Sequence, residues 1–368
     1  MKYYSLKKLL AVEGAKYLIN YGERSSGKTY AALEYIVTNH IKDGSQGAII
    51  RRFREDFRGK RAAVYFDSLT YNGKGENIIK KLSKGKYDRV VYQSSKWFLA
   101  YYDDDLDKVV TEDEPLAYAF CLTEMEHDKS TSYPKITTLF FDEFMTRGSY
   151  LPDEFILFMN TCSSIIRSRT NCKIIMSANT ISKYCPYFKE MGLDHVRQQK
   201  PGTIDVYTYG DSGLKVAVEY TDTPVAGKPS DVYFAFDNPK LKMITGGEWE
   251  LDIYPHIRAD FSKDDIVFSY FILFEEHILQ ADIVATNDMF FTYIHQKTTP
   301  IKDDDQDIIF SITPNEKHNY YKNIVNPCDD LSKKIISFYK ANKVFYQSND
   351  IGEIVNNYIV QCQKMIKV

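Results

Sequence analysis

Eight residues near the start of the chain, Gly22, Glu23, Arg24, Ser25, Ser26, Gly27, Lys28 and Thr29, follow the spacing G-x-x-x-x-G-K-[ST]. Residues of these types in this order can cradle phosphate. The glycines let the backbone close round an anion, and successive N–H groups, including those of Arg24, Ser25 and Ser26, converge on it ahead of a helix N-terminus. Lys28 supplies a mobile cation for the β- and γ-phosphates, and the Thr29 hydroxyl is a ligand for Mg²⁺. The expected ligand is a nucleoside triphosphate with Mg²⁺.

A second group lies more than a hundred residues on. The apolar run Thr137–Phe141 ends in Asp142 and Glu143, a carboxylate pair at the end of a strand, where α/β proteins place their ligands. Asp142 would hold Mg²⁺ through water and Glu143 would polarise the attacking water. Glu143 points to a hydrolysing NTPase with an extra strand between the two motifs, not a kinase. The strand 173–178 runs into Asn179, which, like Ser177, reads either as a sensor of the γ-phosphate or the lytic water or as an ordinary strand-to-loop cap. Arg167 and Arg169 close the preceding helix. They either complement its C-terminus or reach a neighbouring subunit as arginine fingers. The stretch 51–61 carries six basic residues against two acidic ones, with aromatics interleaved. It reads either as a solvated helix face or as a contact to phosphate or the DNA backbone, with Lys60 and Arg61 as DNA-binding candidates.

These residues need a scaffold, and the apolar pattern predicts one. Strands are expected at 16–21, 47–52, 137–141 and 173–178, with helices at 28–41 and 152–167, the second begun by Pro152. Alternating strands and helices over the first ~220 residues argue for a parallel α/β sheet. An insertion on the sheet edge is expected between Leu69 and Cys121, with strands at 89–92 and 97–102. Glycines and prolines from Gly202 onward mark a change of texture, followed by a helical piece at 231–243. Past residue 260 come strands at 266–276, 278–285, 290–295 and 308–313, then helices at 331–342 and 351–366, a separate α+β domain. The acidic run 303–307 reads as a solvated loop.

With 368 residues there is room for two to three domains at ~150 residues each. A net charge of −3 excludes a uniformly basic nucleic-acid binder, so any such site is a local patch. The six cysteines show no C-x-x-C spacing and the seven histidines no H-E-x-x-H. That points to free thiols and against a zinc cage. The N-terminus has no signal-peptide h-region, and no apolar run reaches the ~18 residues of a membrane span, so no membrane partner is expected.

Taken together, the pattern resembles the DNA-packaging ATPases of phi29-type phages. The likeness rests on 22–29 with Arg24 at its third place, Arg51 and Arg52 at a strand end, and Lys129, Ser130, Tyr133 and Pro134 ahead of Phe140–Phe144. It continues through 150–154, Arg167 to Arg169, 176–179 and 186–188. It covers about the first 190 residues and is diffuse beyond. The resemblance implies a P-loop (RecA/ASCE-like) ATPase domain over 1–225, a linker or lid over 226–262, and a degenerate RNase H-like docking domain over 263–368. It implies an ATP-hydrolysing double-stranded DNA translocase that uses ATP and Mg²⁺. Such a protein works as a homo-oligomeric ring, a pentamer, on the portal of the procapsid in the host cytoplasm, in some relatives with a structural RNA. Carried over residue by residue, Lys28, Thr29, Asp142 and Glu143 are the phosphate, Mg²⁺ and water residues. Arg167 takes the place of the trans-acting finger, with Arg169 beside it. Arg54 and Lys129 match positions that act across the subunit interface, and Arg147 falls in a DNA-facing loop. The C-terminal strand 266–274 lacks an acid until Glu275, and Asp282 is alone on the next strand, so a nuclease that needs paired metals is not expected there. The alternatives are a P-loop helicase, a non-packaging nucleic-acid-dependent ATPase, or a non-hydrolysing adaptor.

Overall fold

The computed structural model describes residues 3–71, 75–124, 131–146, 150–151, 153–180, 185–210, 212–222, 254–257, 260–302 and 305–365. The expected helix at 231–243, most of the linker at 226–262, and the site candidates Lys129 and Arg147 lie outside the described residues. The chain divides into two units, Met1–Glu250 and Leu251–Val368.

The first unit is built on a ten-stranded sheet. Its strands are β1 (Ala15–Gly22), β2 (Gln46–Arg51), β3 (Arg89–Gln93), β4 (Lys96–Asp103), β5 (Lys108–Thr111), β6 (Ala117–Cys121), β7 (Ile136–Asp142), β8 (Lys173–Asn179), β9 (Ile204–Tyr209) and β10 (Leu214–Tyr220). The order is β3-β4-β6-β2-β7-β8-β1-β10-β9, with β5 beside β4. The strands from β6 to β10 along this order run parallel. β3, β4, β5 and β9 are antiparallel additions at the two edges. The insertion expected at 69–121 is therefore smaller than its span: β6 returns from it into the parallel centre beside β2. β9 and β10, unforeseen from the glycine-rich sequence around them, complete the far side.

Two helices matter for the site. α1 (Lys28–Asp43) begins where the motif loop ends, and α2 (Glu154–Ile166) lies between β7 and β8. α2 starts at Glu154, beyond the expected Pro152, which is outside the described residues. Ile49, Phe140, Ile175, Leu18 and Ala217, one from each of five adjacent parallel strands, stand in register and pack with Ala32, Leu33 and Ile36 of α1. Burying each larger aliphatic or aromatic side chain contributes about 1.5–3 kcal/mol, which holds the helix down on the sheet. Side chains alternate along a strand. Two residues further on, the same face carries Arg51, Asp142, Ser177, Asn20 and Glu219, so the apolar floor becomes polar at the carboxyl ends of the strands.

The second unit has a six-stranded sheet in the order β15-β14-β11-β12-β13-β16. Its strands are β11 (Ile266–Phe274), β12 (His277–Ala285), β13 (Phe290–Gln296), β14 (Ile309–Ser311), β15 (Tyr320–Tyr321) and β16 (Val344–Tyr346), with helices α3 (Asp330–Lys340) and α4 (Asn349–Met365). β11, β12 and β13 form an antiparallel meander, while β14 and β16 join its two sides in parallel. Glu275 sits in the turn after β11 with φ 52°, so the strand itself bears no acid. Among the described residues, no helix is long and apolar enough to cross a membrane.

Candidate nucleotide and hydrolysis site

The loop between β1 and α1 has the backbone its sequence demands. A Cβ on Gly22 would lie 2.0 Å from Thr221 Oγ1, and Gly27 has φ 95° at the head of the helix. Only glycine meets both conditions without strain. The Tyr4 N–H donates to Ser26 O at 2.9 Å and so holds the loop from outside.

Lys28 is buried and folded back onto its own loop. Its ammonium donates to Gly22 O (3.2 Å), Glu23 O (2.5 Å), Ser26 Oγ (3.1 Å) and Asn179 Oδ1 (3.4 Å). Burial pushes the amine down to about 8, against the opposing pull of Asp142 and Glu23. Phosphate oxygens arriving here would take the place of these oxygen acceptors.

β8 lies between β1 and β7, so the motif strand and the carboxylate strand are two steps apart, about 10 Å. Register puts Asn179 beside Gly22, and Ser177 beside both Asn20 and Asp142. Thr29 spans the gap: its hydroxyl donates to Asp142 Oδ1 at 3.0 Å. A hydroxyl and a carboxylate meeting at a helix N-terminus are hard oxygen donors of the kind Mg²⁺ takes, so these residues fit the ion.

Asp142 Oδ2 accepts from Arg51 Nη1 (2.9 Å) and from the Tyr65 hydroxyl (2.7 Å). Arg51 Nη2 reaches Glu143 Oε2 at 2.9 Å. Burial works against the Arg51 charge, yet Asp142, Tyr65, Glu143 and Asp56 together raise its pKa. Burial, then the neighbouring Asp142, raises the Tyr65 phenol well above its usual range, so it acts as a donor. Glu143 has φ 57°, a left-handed conformation that costs a non-glycine residue about 1–2 kcal/mol. Its side chain is 59% exposed, whereas that of Asp142 is 7% exposed.

The remaining candidates are placed differently. Arg24 and Ser25 are exposed on the outer side of the loop, and Ser26 is buried beneath it. Arg167 and Arg169 lie at the amino end of β7, not the end that carries Asp142. β7 runs from Ile136 to Asp142, which separates the two ends by about 20 Å. Arg169 makes the contacts of the helix C-terminus alternative. It donates to Ile165 O (2.7 Å), Ile166 O (3.2 Å), Pro134 O (3.0 Å) and Ile136 O, tying the last carbonyls of α2 to the start of β7. These contacts give it a structural part in the fold. Arg167 is exposed and donates to Thr131 O at 3.0 Å. Arg54 pairs with Glu124 at 3.1 Å on the surface. Lys60 and Arg61 are exposed on a four-residue helix whose Ala62 carbonyl accepts from the buried Trp97. The basic stretch is therefore a short 3-10 turn and a short helix, not one helix face.

Besides Arg51, sequence reasoning missed four members of the site. Tyr65 and Asn20 gave no signal. Asn20 is fully buried between Ser177 and Glu219, and neither its amide atoms nor the Ser177 hydroxyl has a hydrogen-bond partner among the described residues. Arg52 and Glu154 form a buried ion pair, with Nε–Oε2 at 3.0 Å and Nη2–Oε1 at 2.8 Å. They are 102 residues apart, and only the fold brings them together.

Residues 106–199 match the family described as Podovirus DNA encapsidation protein (Gp16). A DNA packaging protein of Bacillus phage B103 is 26% identical over 175 residues, which is 47% of this chain and 46% of that protein. The chain resembles the DNA-packaging proteins of phi29-type phages. That of Bacillus phage phi29 is 24% identical over 191 residues, 50% of this chain and 49% of that protein. The match thus spans about half the length of these curated relatives. A chain of the bacteriophage Phi-29 viral genome packaging motor assembly superposes with a TM-score of 0.59 at 18% identity, covering 98% of both chains. This shows a shared fold.

Proposed function

We propose that this protein is an ATP-hydrolysing motor that drives double-stranded DNA into a phage procapsid. One observation carries the reading: the phosphate loop and the carboxylate strand converge, with Thr29 bonded to Asp142 and Glu143 next along the chain. The similarity to phage DNA packaging proteins supplies the biological setting.

In this reading the loop N–H groups and Lys28 bind the phosphates, and Asn179 meets the γ-phosphate or the attacking water. Thr29 and Asp142 hold Mg²⁺, which neutralises phosphate charge when bound. Glu143 accepts the proton of the attacking water. Arg167, about 20 Å from Asp142 along β7, serves a neighbouring subunit, so the working form is a homo-oligomeric ring. Arg54, Lys60 and Arg61 are exposed cations available to a neighbour or to DNA phosphates. The mixed sheet of the C-terminal unit supports an RNase H-like ancestry. Its acid-free first strand, and Asp282 enclosed by Ser269, Gln280 and His295, favour a docking module for the procapsid portal over a nuclease.

The test is ATP hydrolysis with and without duplex DNA and procapsids. Stimulation by both together supports packaging. Stimulation by forked DNA with strand separation would favour a helicase, and the absence of hydrolysis under every condition would leave only an adaptor.

A further inference from the structure

The arginine that ends β2 and the one that follows it divide their work. Arg51 reaches the carboxylates of Asp142 and Glu143 on the α1 face. Arg52, on the other face, never touches a carboxylate of that pair. Its Nη1 donates to the Glu143 carbonyl and its Nη2 to the Phe144 carbonyl. The same guanidinium is bound from behind by both oxygens of Glu154.

From these contacts we infer that the buried Arg52–Glu154 pair is the positioning device that holds Glu143 in register for hydrolysis. The inference rests on the reading of Glu143 as the group that activates water.

Three observations converge on it. Glu143 occupies the left-handed region at φ 57°, and a non-glycine residue stays there only when its surroundings over-determine it. Those surroundings are the Arg52 bonds to two successive carbonyls and the Phe144 N–H, which donates to Ser177 O at 3.3 Å. Second, the pair is itself anchored. Glu154 also accepts from the Tyr187 hydroxyl (2.8 Å) and from the Leu151 N–H (2.8 Å), and the rings of Tyr150 and Phe141 lie 5.1 and 5.5 Å from the guanidinium carbon. Third, the pair is closed to water: Arg52 is 7% and Glu154 2% exposed. A buried ion pair is by itself a weak contributor to stability. What this one does is place a planar fork across one carboxylate and two carbonyls, which a lysine ammonium cannot span. Arg52 is thus a positioning residue that acts through the Glu143 backbone, while the Glu143 carboxylate itself is exposed and bonded to Arg51.

The experiment compares full-length wild type, Arg52→Lys, Glu154→Gln, Glu143→Gln and the double variant Arg52→Lys/Glu143→Gln. The readouts are the melting temperature, ATP affinity by a fluorescent analogue, and steady-state hydrolysis with DNA. Hydrolysis by wild type that is lost in Glu143→Gln establishes the reading first, so its failure is seen separately from failure of this inference. The expected result for Arg52→Lys is a folded protein with ATP affinity within about threefold of wild type and kcat lower by about 10²-fold, the scale of a small misplacement of a reacting group. In the double variant, Arg52→Lys costs nothing beyond Glu143→Gln, because both act through one carboxylate. If Arg52→Lys does not fold, Glu154→Gln carries the same test. A folded variant with wild-type kcat, a loss of ATP affinity as large as the loss of kcat, or additive losses in the double variant would each overturn the assignment.

Discussion

Thr29 donates its hydroxyl to Asp142 at 3.0 Å, so the helix that follows the glycine-rich loop and the strand that ends in carboxylates are already joined. Asp142 is also saturated on its other oxygen, by Arg51 and Tyr65. Mg²⁺ binding near Asp142 must therefore compete with donors. Tyr65→Phe removes one of them without changing the ring. The Mg²⁺ concentration for half-maximal ATP hydrolysis should fall about fivefold, the worth of ~1 kcal/mol for a single hydrogen bond. An unchanged or higher requirement would show that Tyr65 assists the metal state instead of opposing it.

Lys28 gives a pH signature. Burial holds its amine at about 8 without nucleotide, and bound phosphates stabilise the ammonium and raise that value. Well below pH 8 Lys28 is already charged, and binding draws no proton through it. Near and above pH 8, binding must recharge it, so ATP affinity falls as pH rises and protons are taken up. Calorimetry at pH 8.5 in two buffers of different ionisation enthalpy measures that uptake. Lys28→Arg, charged throughout, should lose the uptake. Equal uptake in both proteins would assign the proton to another group.

Much of this site was legible because its signals are local. The eight-residue loop, the apolar strand ahead of Asp142 and the small polar end of β8 each declare themselves within one segment. Short half-buried strands such as β9 alternate too weakly to stand out from a glycine-rich stretch, and β6 is hidden inside an insertion. Contacts between distant segments left no trace. Nothing around Arg52 announces Glu154, and nothing around Asn20 announces that Ser177 and Glu219 will enclose it. Arg167 and Arg169 stayed open between two readings for a related reason: a basic residue after a helix reads alike whether it serves a neighbour or ties down carbonyls of its own fold.

Glu143→Gln should bind Mg²⁺–ATP with affinity near that of wild type and lose hydrolysis by at least about 10²-fold. The amide does not accept the proton of water, while Asp142 and Thr29 are untouched. Loss of nucleotide binding in this variant would place Glu143 among the metal ligands. Lys28→Ala should lose binding and turnover together, since it removes the ammonium that donates to the loop carbonyls and Ser26.

In the C-terminal unit, Asp282 is buried and accepts from Ser269 (2.6 Å), Gln280 (2.8 Å) and His295 (3.0 Å). Burial pushes its carboxyl up, but these hydrogen bonds and the imidazolium outweigh it and leave it below its usual range. The bond to Asp282 raises His295 above its usual range. The histidine contribution to stability is complete below ~6.5 and is lost as pH rises through the elevated folded value. The aspartate contribution is present above ~3.9 and is lost as pH falls through the depressed one. The difference in melting temperature between wild type and His295→Gln should peak near pH 5–6 and shrink by pH 9. A difference that grows with pH would show that the histidine is stabilising as a neutral ring.

Variants of Arg167 and Arg169 should separate the proposed catalytic role from a structural one. Arg169 serves four main-chain carbonyls, two of which end α2. Arg169→Ala leaves those carbonyls short of a donor and should lower the melting temperature by several degrees, in monomer and assembly alike, at a cost of about 1–3 kcal/mol. Arg167 is exposed with one carbonyl contact, and Arg167→Ala should leave the melting temperature unchanged. Its effect should appear only in the ring, where an arginine reaching the γ-phosphate of the next subunit contributes ~10³–10⁵ in rate. Mixing Arg167→Ala with Glu143→Gln subunits decides the direction. Each variant alone should be inactive, but a mixed ring would contain interfaces at which an intact Arg167 faces an intact Glu143. Partial recovery of ATP hydrolysis on mixing is the expected result. If mixed rings form and stay inactive while Arg167→Ala monomers are as impaired as rings, the arginine works within its own chain, and its position at the far end of β7 from Asp142 would then require a rearrangement of the fold on nucleotide binding.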